Sequence, residues 1–175
     1  MIIELLQSIV QALDVKEIPY MLSGSLAQNV YSIPRMTLDI DIVIELEQKK
    51  LEDFFSIFNK GFYLDVHTIR NETEKRGMFN IIDHKTGFKI DFIIRKNTKY
   101  RKLEFSKRVR KEIAGFEAWV VSPEDLIISK IEWIQQLQSD KQRGDIVNLL
   151  AIQNIDKEYI LHWCNTLGLN TFDLI

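Results

Sequence analysis

The stretch Leu38-Asp39-Ile40-Asp41-Ile42-Val43-Ile44 places two acids inside a strongly apolar run. Alternate residues of a strand point to the same face. Asp39 and Asp41 therefore project from one side, and Leu38, Ile40, Ile42 and Ile44 line the other. Two carboxylates this close repel each other, and a cation or water relieves the repulsion. Hard ions such as Mg²⁺ take oxygen ligands and are usually held by one or two carboxylates plus substrate phosphates. The other reading is an edge strand whose acids discourage aggregation. The apolar setting weighs against it, because charge is costly to hold where water is scarce.

Upstream, Ile2, Leu5, Leu6, Ile9, Val10 and Leu13 recur at helical spacing within Met1 to Val15. Tyr20-Met21-Leu22 reads as a short strand and Ser23-Gly24-Ser25 as a turn. Leu26 to Ser32 reads as a short helix stopped by Pro34. Downstream, Lys49 to Asn59 is an amphipathic helix ended by Gly61. Met78 to Asp83 and Phe88 to Arg95 flank His84-Lys85-Thr86-Gly87, a β-hairpin signal that puts Asp91 in mid-strand. Phe116 to Val121 is a further strand. Ser122-Pro123-Glu124-Asp125 opens a helix, with serine as cap, proline at the first position and acids near the positive end. Helices follow near Asp145 to Gln153 and Asp156 to Leu167. The class is α/β (α+β), with an α/β core over residues 1–121 and a helical region over 122–175.

Four elements carry candidate chemistry. Gly24-Ser25 lies between a strand and a helix, where backbone N–H groups favour an anion and glycine admits a close approach. A plain turn with a serine cap has the same appearance. The Asp39/Asp41 pair is the second element. Asp91 is the third, a carboxylate in another apolar strand, read either as an exposed or ion-paired acid or as the third ligand of a two-metal clamp. Lys130 is the fourth. On a helical wheel it falls among Leu126, Trp133, Ile134 and Leu137, where it either snorkels or aims its ammonium at phosphates.

A net charge of −2 over 175 residues hides an asymmetry. Residues 95–111 carry nine basic residues against Glu104, or +8, while the remainder carries 14 basic and 24 acidic, or −10. Such a segment is either a solvated connection or an attractor of polyanions such as nucleotides or RNA. Cys164 is the sole cysteine, so no intrachain disulfide forms, which fits a reducing cytoplasm. Nothing approaches a membrane span or a signal peptide. His67, His84 and His162 have no zinc-site spacing. Trp119, Trp133 and Trp163 read as core or interface residues.

Gly24-Ser25, then Arg35-Met36-Thr37-Leu38-Asp39-Ile40-Asp41, then Lys89-Ile90-Asp91 resembles the nucleotidyltransferase superfamily of DNA polymerase beta. Within it, the chain looks like small prokaryotic members, the AbiEii-type proteins and aminoglycoside nucleotidyltransferases. Ser122 to Leu126, Lys130 and Arg143-x-Asp145 look like the helical signature of the same group. Many relatives have Gly-Gly where this chain has Ser23-Gly24.

The resemblance implies a mixed sheet flanked by helices, with a C-terminal helical extension. It implies transfer of a nucleoside monophosphate from a nucleoside triphosphate such as ATP to a hydroxyl of RNA, protein or a small molecule, with release of pyrophosphate. Mg²⁺ (or Mn²⁺) is the implied cofactor, ligated by Asp39, Asp41 and Asp91, which are also the catalytic candidates. Gly24, Ser25, Arg35 and Lys130 are the implied nucleotide-binding residues. Arg35 is read alternatively as pairing with a local acid, and Asp145 as a plain N-cap. A toxin–antitoxin or resistance role and an antitoxin partner go with the likeness. The competing reading is a catalytically inactive nucleotide-binding regulatory module.

Overall fold

The computed structural model describes residues 2–137 and 139–175. Its elements run α1 (Ile2–Val15), β1 (Tyr20–Leu22), α2 (Gly24–Tyr31), β2 (Asp39–Ile44), α3 (Leu51–Ile57), β3 (Phe62–Tyr63), α4 (Val66–Lys75), β4 (Met78–Asp83), β5 (Lys89–Ile94), α5 (Lys99–Ser106), β6 (Val109–Ile113), β7 (Phe116–Val120), α6 (Pro123–Ile134), α7 (Asp140–Leu150) and α8 (Lys157–Thr166). The strands form one sheet in the order β3-β4-β5-β2-β1-β7-β6. The β2–β5 and β1–β7 pairs are parallel and the rest antiparallel. The α/β class and the mixed, helix-flanked sheet are as the sequence predicts.

Alternation decides which way each strand faces. Ile40, Ile42 and Ile44 of β2 and Ile90, Phe92 and Ile94 of β5 are fully buried. On that side Phe54 of α3 and Phe58, its C-cap, pack on Phe92, with ring centroids 5.1 and 5.6 Å apart, and Phe79 stacks on Phe92 at 5.5 Å. Interlocked rings add to simple area burial. The opposite face carries the acids. Leu38 departs from expectation. The strand begins at Asp39, so Leu38 lies before the pairing and is 61% exposed.

Several helices differ from their sequence reading. The Lys49 to Asn59 segment is a 3₁₀ turn, Gln48–Lys50, followed by α3. α7 starts at Asp140, not near Asp145, because the Ser139 side chain accepts a hydrogen bond from the Gln142 N–H and caps the helix there. α6 is capped by Ser122 with Pro123 first in the helix, as predicted, but its buried arc centres on Ile127, Ile131 and Ile134. Trp133, 63% exposed, falls off that arc, and Leu137 lies past the helix end and is exposed.

The basic segment is neither a loop nor fully solvated. It forms α5 and the edge strand β6. Arg101 bonds Glu104 at 2.8 Å and also reaches Glu132. Arg108 lies over the Phe105 and Trp119 rings, and Lys107 over Tyr159. Asp125, fully buried, accepts hydrogen bonds from Tyr100, Tyr159 and Ser122, which ties α5, α6 and α8 together.

Candidate active site

Strand register brings the acids together. Asp39 lies opposite Lys89, and Asp41 opposite Asp91, on the adjacent parallel strands β2 and β5. Lys89 Nζ donates to Asp91 Oδ2 at 2.8 Å. Burial raises the pKa of Asp41 above its ordinary value, and the like charges of Asp91 and Asp39 raise it further. Lys89 and Lys130 only partly oppose them. Lys89, bonded to Asp91, is correspondingly held more basic than usual.

β1 ends beside this patch and turns sharply. The Ser23 N–H donates to the Asp41 backbone carbonyl at 3.0 Å. Gly24 follows with φ +60°, a conformation that favours glycine. A Cβ at Gly24 would lie 2.0 Å from Asp41 Oδ2 and 2.6 Å from its Cγ. The glycine is needed twice over, for the turn and for the carboxylate against it. Ser23, not Ser25, is the N-cap of α2, and its side chain makes no capping hydrogen bond. The Ser25 hydroxyl instead accepts from Arg35 Nη2 at 2.6 Å.

Arg35 and Lys130 meet on one acid that sequence reading took for an N-cap. Asp145 lies inside α7, is almost fully buried, and accepts from Arg35 Nη2 at 2.9 Å, Arg35 Nε at 3.2 Å, Lys130 Nζ at 2.9 Å and Gln28 Nε2 at 2.8 Å. Burial alone would raise its pKa. The hydrogen bonds from Arg35, Lys130 and Gln28 outweigh burial and bring it down to about 2. Burial lowers the pKa of Lys130, and Asp145 counters only part of that effect. Asn29 fixes the Arg35 backbone from both sides, at 2.9 Å to its N–H and 2.8 Å to its carbonyl. Arg35 thus does pair with an acid, one 110 residues away.

The structure brings two groups together, the acidic row of β2 and β5 and the α2–α6–α7 cation cluster, joined where Gly24 touches Asp41. Sequence reasoning placed Asp145 in the helical signature but left an N-cap as its plain reading, and it missed Gln28 and the bond from Lys89 to Asp91. Asp145 was open to detection, because it shares the buried side of α7 with Ile146 and Leu149, the signal that singled out Lys130. Among the described residues, no three His, Cys, Asp or Glu side chains form a ready-made metal cage. A cleft of about 380 Å³ bordered by Ile3, Leu6, Leu26 and Glu112 is lined by none of the candidate residues.

Comparison with known proteins gives a family and a fold. Residues 17–162 match the family described as nucleotidyl transferase AbiEii toxin, type IV TA system. Among solved structures, the chain is similar to the antibiotic-resistance factor ANT(2'')-Ia in solution, with TM-score 0.64 and 16% identity over 94% of this chain and 90% of that one. It is also similar to ANT(2'')-Ia in complex with adenylyl-2''-tobramycin, with TM-score 0.60 and 14% identity over 94% and 95%. The lincomycin-bound lincosamide adenylyltransferase LnuA gives TM-score 0.56 and 14% identity over 85% and 96%. At these identities the likeness is one of fold. No curated protein matches the chain.

Proposed function

Since the chain belongs to the AbiEii nucleotidyltransferase family, we propose that it moves a nucleoside monophosphate from a nucleoside triphosphate to a hydroxyl acceptor at the Asp39–Asp41–Asp91 patch, in a toxin–antitoxin setting in the cytoplasm. The acceptor oxygen forms a bond to the α-phosphorus, the bond from that phosphorus to the bridging oxygen breaks, and pyrophosphate leaves. The acceptor proton passes to Asp91. Residues 1–121 provide this core, and the helical region 122–175 supplies Lys130 and its anchor Asp145.

The observation that carries the reading is the contact of Gly24 with Asp41 beside Asp91. Asp39, Asp41 and Asp91 fit a hard divalent ion, Mg²⁺ or Mn²⁺. All three offer oxygen, and Asp41 is uncomfortably charged beside its neighbours. Such an ion, when bound, neutralises charge on the transferring and leaving groups. Gly24 and Ser25 present the turn and helix start to the triphosphate. Arg35 and Lys130 supply positive charge, and Asp145 fixes where that charge sits, so little reorganisation is needed as the reaction proceeds.

The test is incubation with labelled ATP, CTP, GTP or UTP and Mg²⁺ or Mn²⁺, with total cellular RNA and protein as acceptors. Label transfer with pyrophosphate release is expected with at least one nucleotide, and it should vanish in Asp41→Asn and in chelator. Nucleotide binding without pyrophosphate under every condition would refute the reading, as would full activity in the variant.

A further inference from the structure

We infer that Asn80 binds the acceptor, on the side of Asp91 away from the nucleotide. The inference rests on the transfer reaction proposed above. β5 is paired in register on both sides, so Asp41, Asp91 and Asn80 form one row across β2, β5 and β4. Burial alternates along β4. Phe79, Ile81 and Asp83 are buried, and Met78, Asn80 and Ile82 are exposed. Directly opposed residues of an antiparallel pair carry their side chains on one face, about 5 Å apart. Two strand spacings put Asn80 about 10 Å from Asp41.

The two ends of the row differ. Next to Asp41 stand Gly24 and then β1, whose Met21 is fully buried opposite Val43. Ser25, Arg35 and Lys130 belong to this closed end, through α2 and its contacts with Asp145. A hydroxyl reaching Asp91 must therefore come from the open end, where β4 is the next strand. The Asn80 side chain makes no hydrogen bond to any described residue, so both its N–H₂ donor and its carbonyl acceptor are available. Met78, Ile82 and Tyr63 surround it in the register, all exposed. The cation in this part of the sheet, Lys89, is already bonded to Asp91. The surface suits an acceptor whose hydroxyl stands beside a neutral hydrogen-bonding group on an apolar or planar body.

The test compares wild type, Asn80→Ala and Asn80→Gln, using whichever cellular RNA or protein fraction the wild type labels. Equilibrium binding of the labelled nucleotide is measured in parallel. Asn80→Ala should lower transfer about tenfold, the worth of one hydrogen bond, through a raised KM for acceptor and with nucleotide affinity unchanged. Asn80→Gln should recover part of the loss. Wild-type transfer by Asn80→Ala overturns the inference. So does a parallel loss of nucleotide affinity, which would move Asn80 to the nucleotide end. Failure of the wild type to transfer at all overturns the parent reading, and this one with it.

Discussion

Asp41→Asn should make the protein more stable at neutral pH while abolishing transfer. Asparagine keeps the shape that lies against Gly24 and removes the charge. Asp41 faces Asp91 across adjacent strands, so their carboxylates lie about 5 Å apart by strand spacing. At an effective dielectric of about 20 their repulsion is about 3 kcal/mol. Lys89, 2.8 Å from Asp91, offsets part of this, and water reaching the half-exposed lysine screens more. A net gain of about 1–2 kcal/mol remains, or about 2–8 °C in Tm for a chain of this size. The pKa of Asp41 is raised above 3.8 in the folded protein, so folding favours its protonated form. Wild-type stability therefore falls as pH rises from about 4 through the folded pKa, and the variant escapes that fall. The advantage of Asp41→Asn should be nearly absent at pH 3.5 and full at pH 7. Thermal unfolding in chelator at both pH values measures it. Added Mg²⁺ should narrow the gap at pH 7, since an ion that binds only the folded wild type raises its Tm. A variant no more stable than wild type at pH 7, or equally advantaged at pH 3.5, would show that the carboxylates do not strain one another.

Gly24→Ala should lose transfer and about 1–3 kcal/mol of stability in urea unfolding. The new methyl would lie 2.0 Å from Asp41 Oδ2, and φ +60° is disfavoured for alanine. Unchanged stability would mean that the turn and Asp41 move apart freely. Asp145→Asn leaves two cations facing a neutral amide, one of them Lys130, only 6% exposed. Breaking such a pair costs about 3–5 kcal/mol. Because the pKa of Asp145 is lowered to about 2, the stability it contributes is present above pH 3.8 and is lost as pH falls through about 2. The deficit of the variant should be full at pH 7 and shrink in acid. A deficit that stays constant from pH 7 to pH 2 would assign Asp145 a packing role instead. Adding Lys130→Met to Asp145→Leu should restore much of the loss, since it removes both buried charges.

What could be read from sequence, and what could not, follows from how each residue relates to its neighbours in the chain. Asp39, Asp41, Asp91 and Lys130 each interrupt an apolar pattern, and a charge in such a place demands a partner wherever the fold puts it. Asp145 obeys the same rule on α7. It was passed over because the helix was taken to start there, and a cap gives an acid a local reason to exist. Its true start at Ser139 removes that reason and leaves a buried charge, answered by Arg35 and Lys130. The basic run 95–111 misled in the opposite direction. Its arginines looked free because their partners, Glu132 and Trp119, come from later elements. Asn80 is a different case. An exposed amide on a half-exposed strand breaks no pattern, and nothing within ten residues marks it. Its meaning comes from register alone, since it stands beside Asp91 only because β4 and β5 pair as they do. A charge in the wrong place can be found in one dimension, whereas a neutral group in the right place needs the sheet.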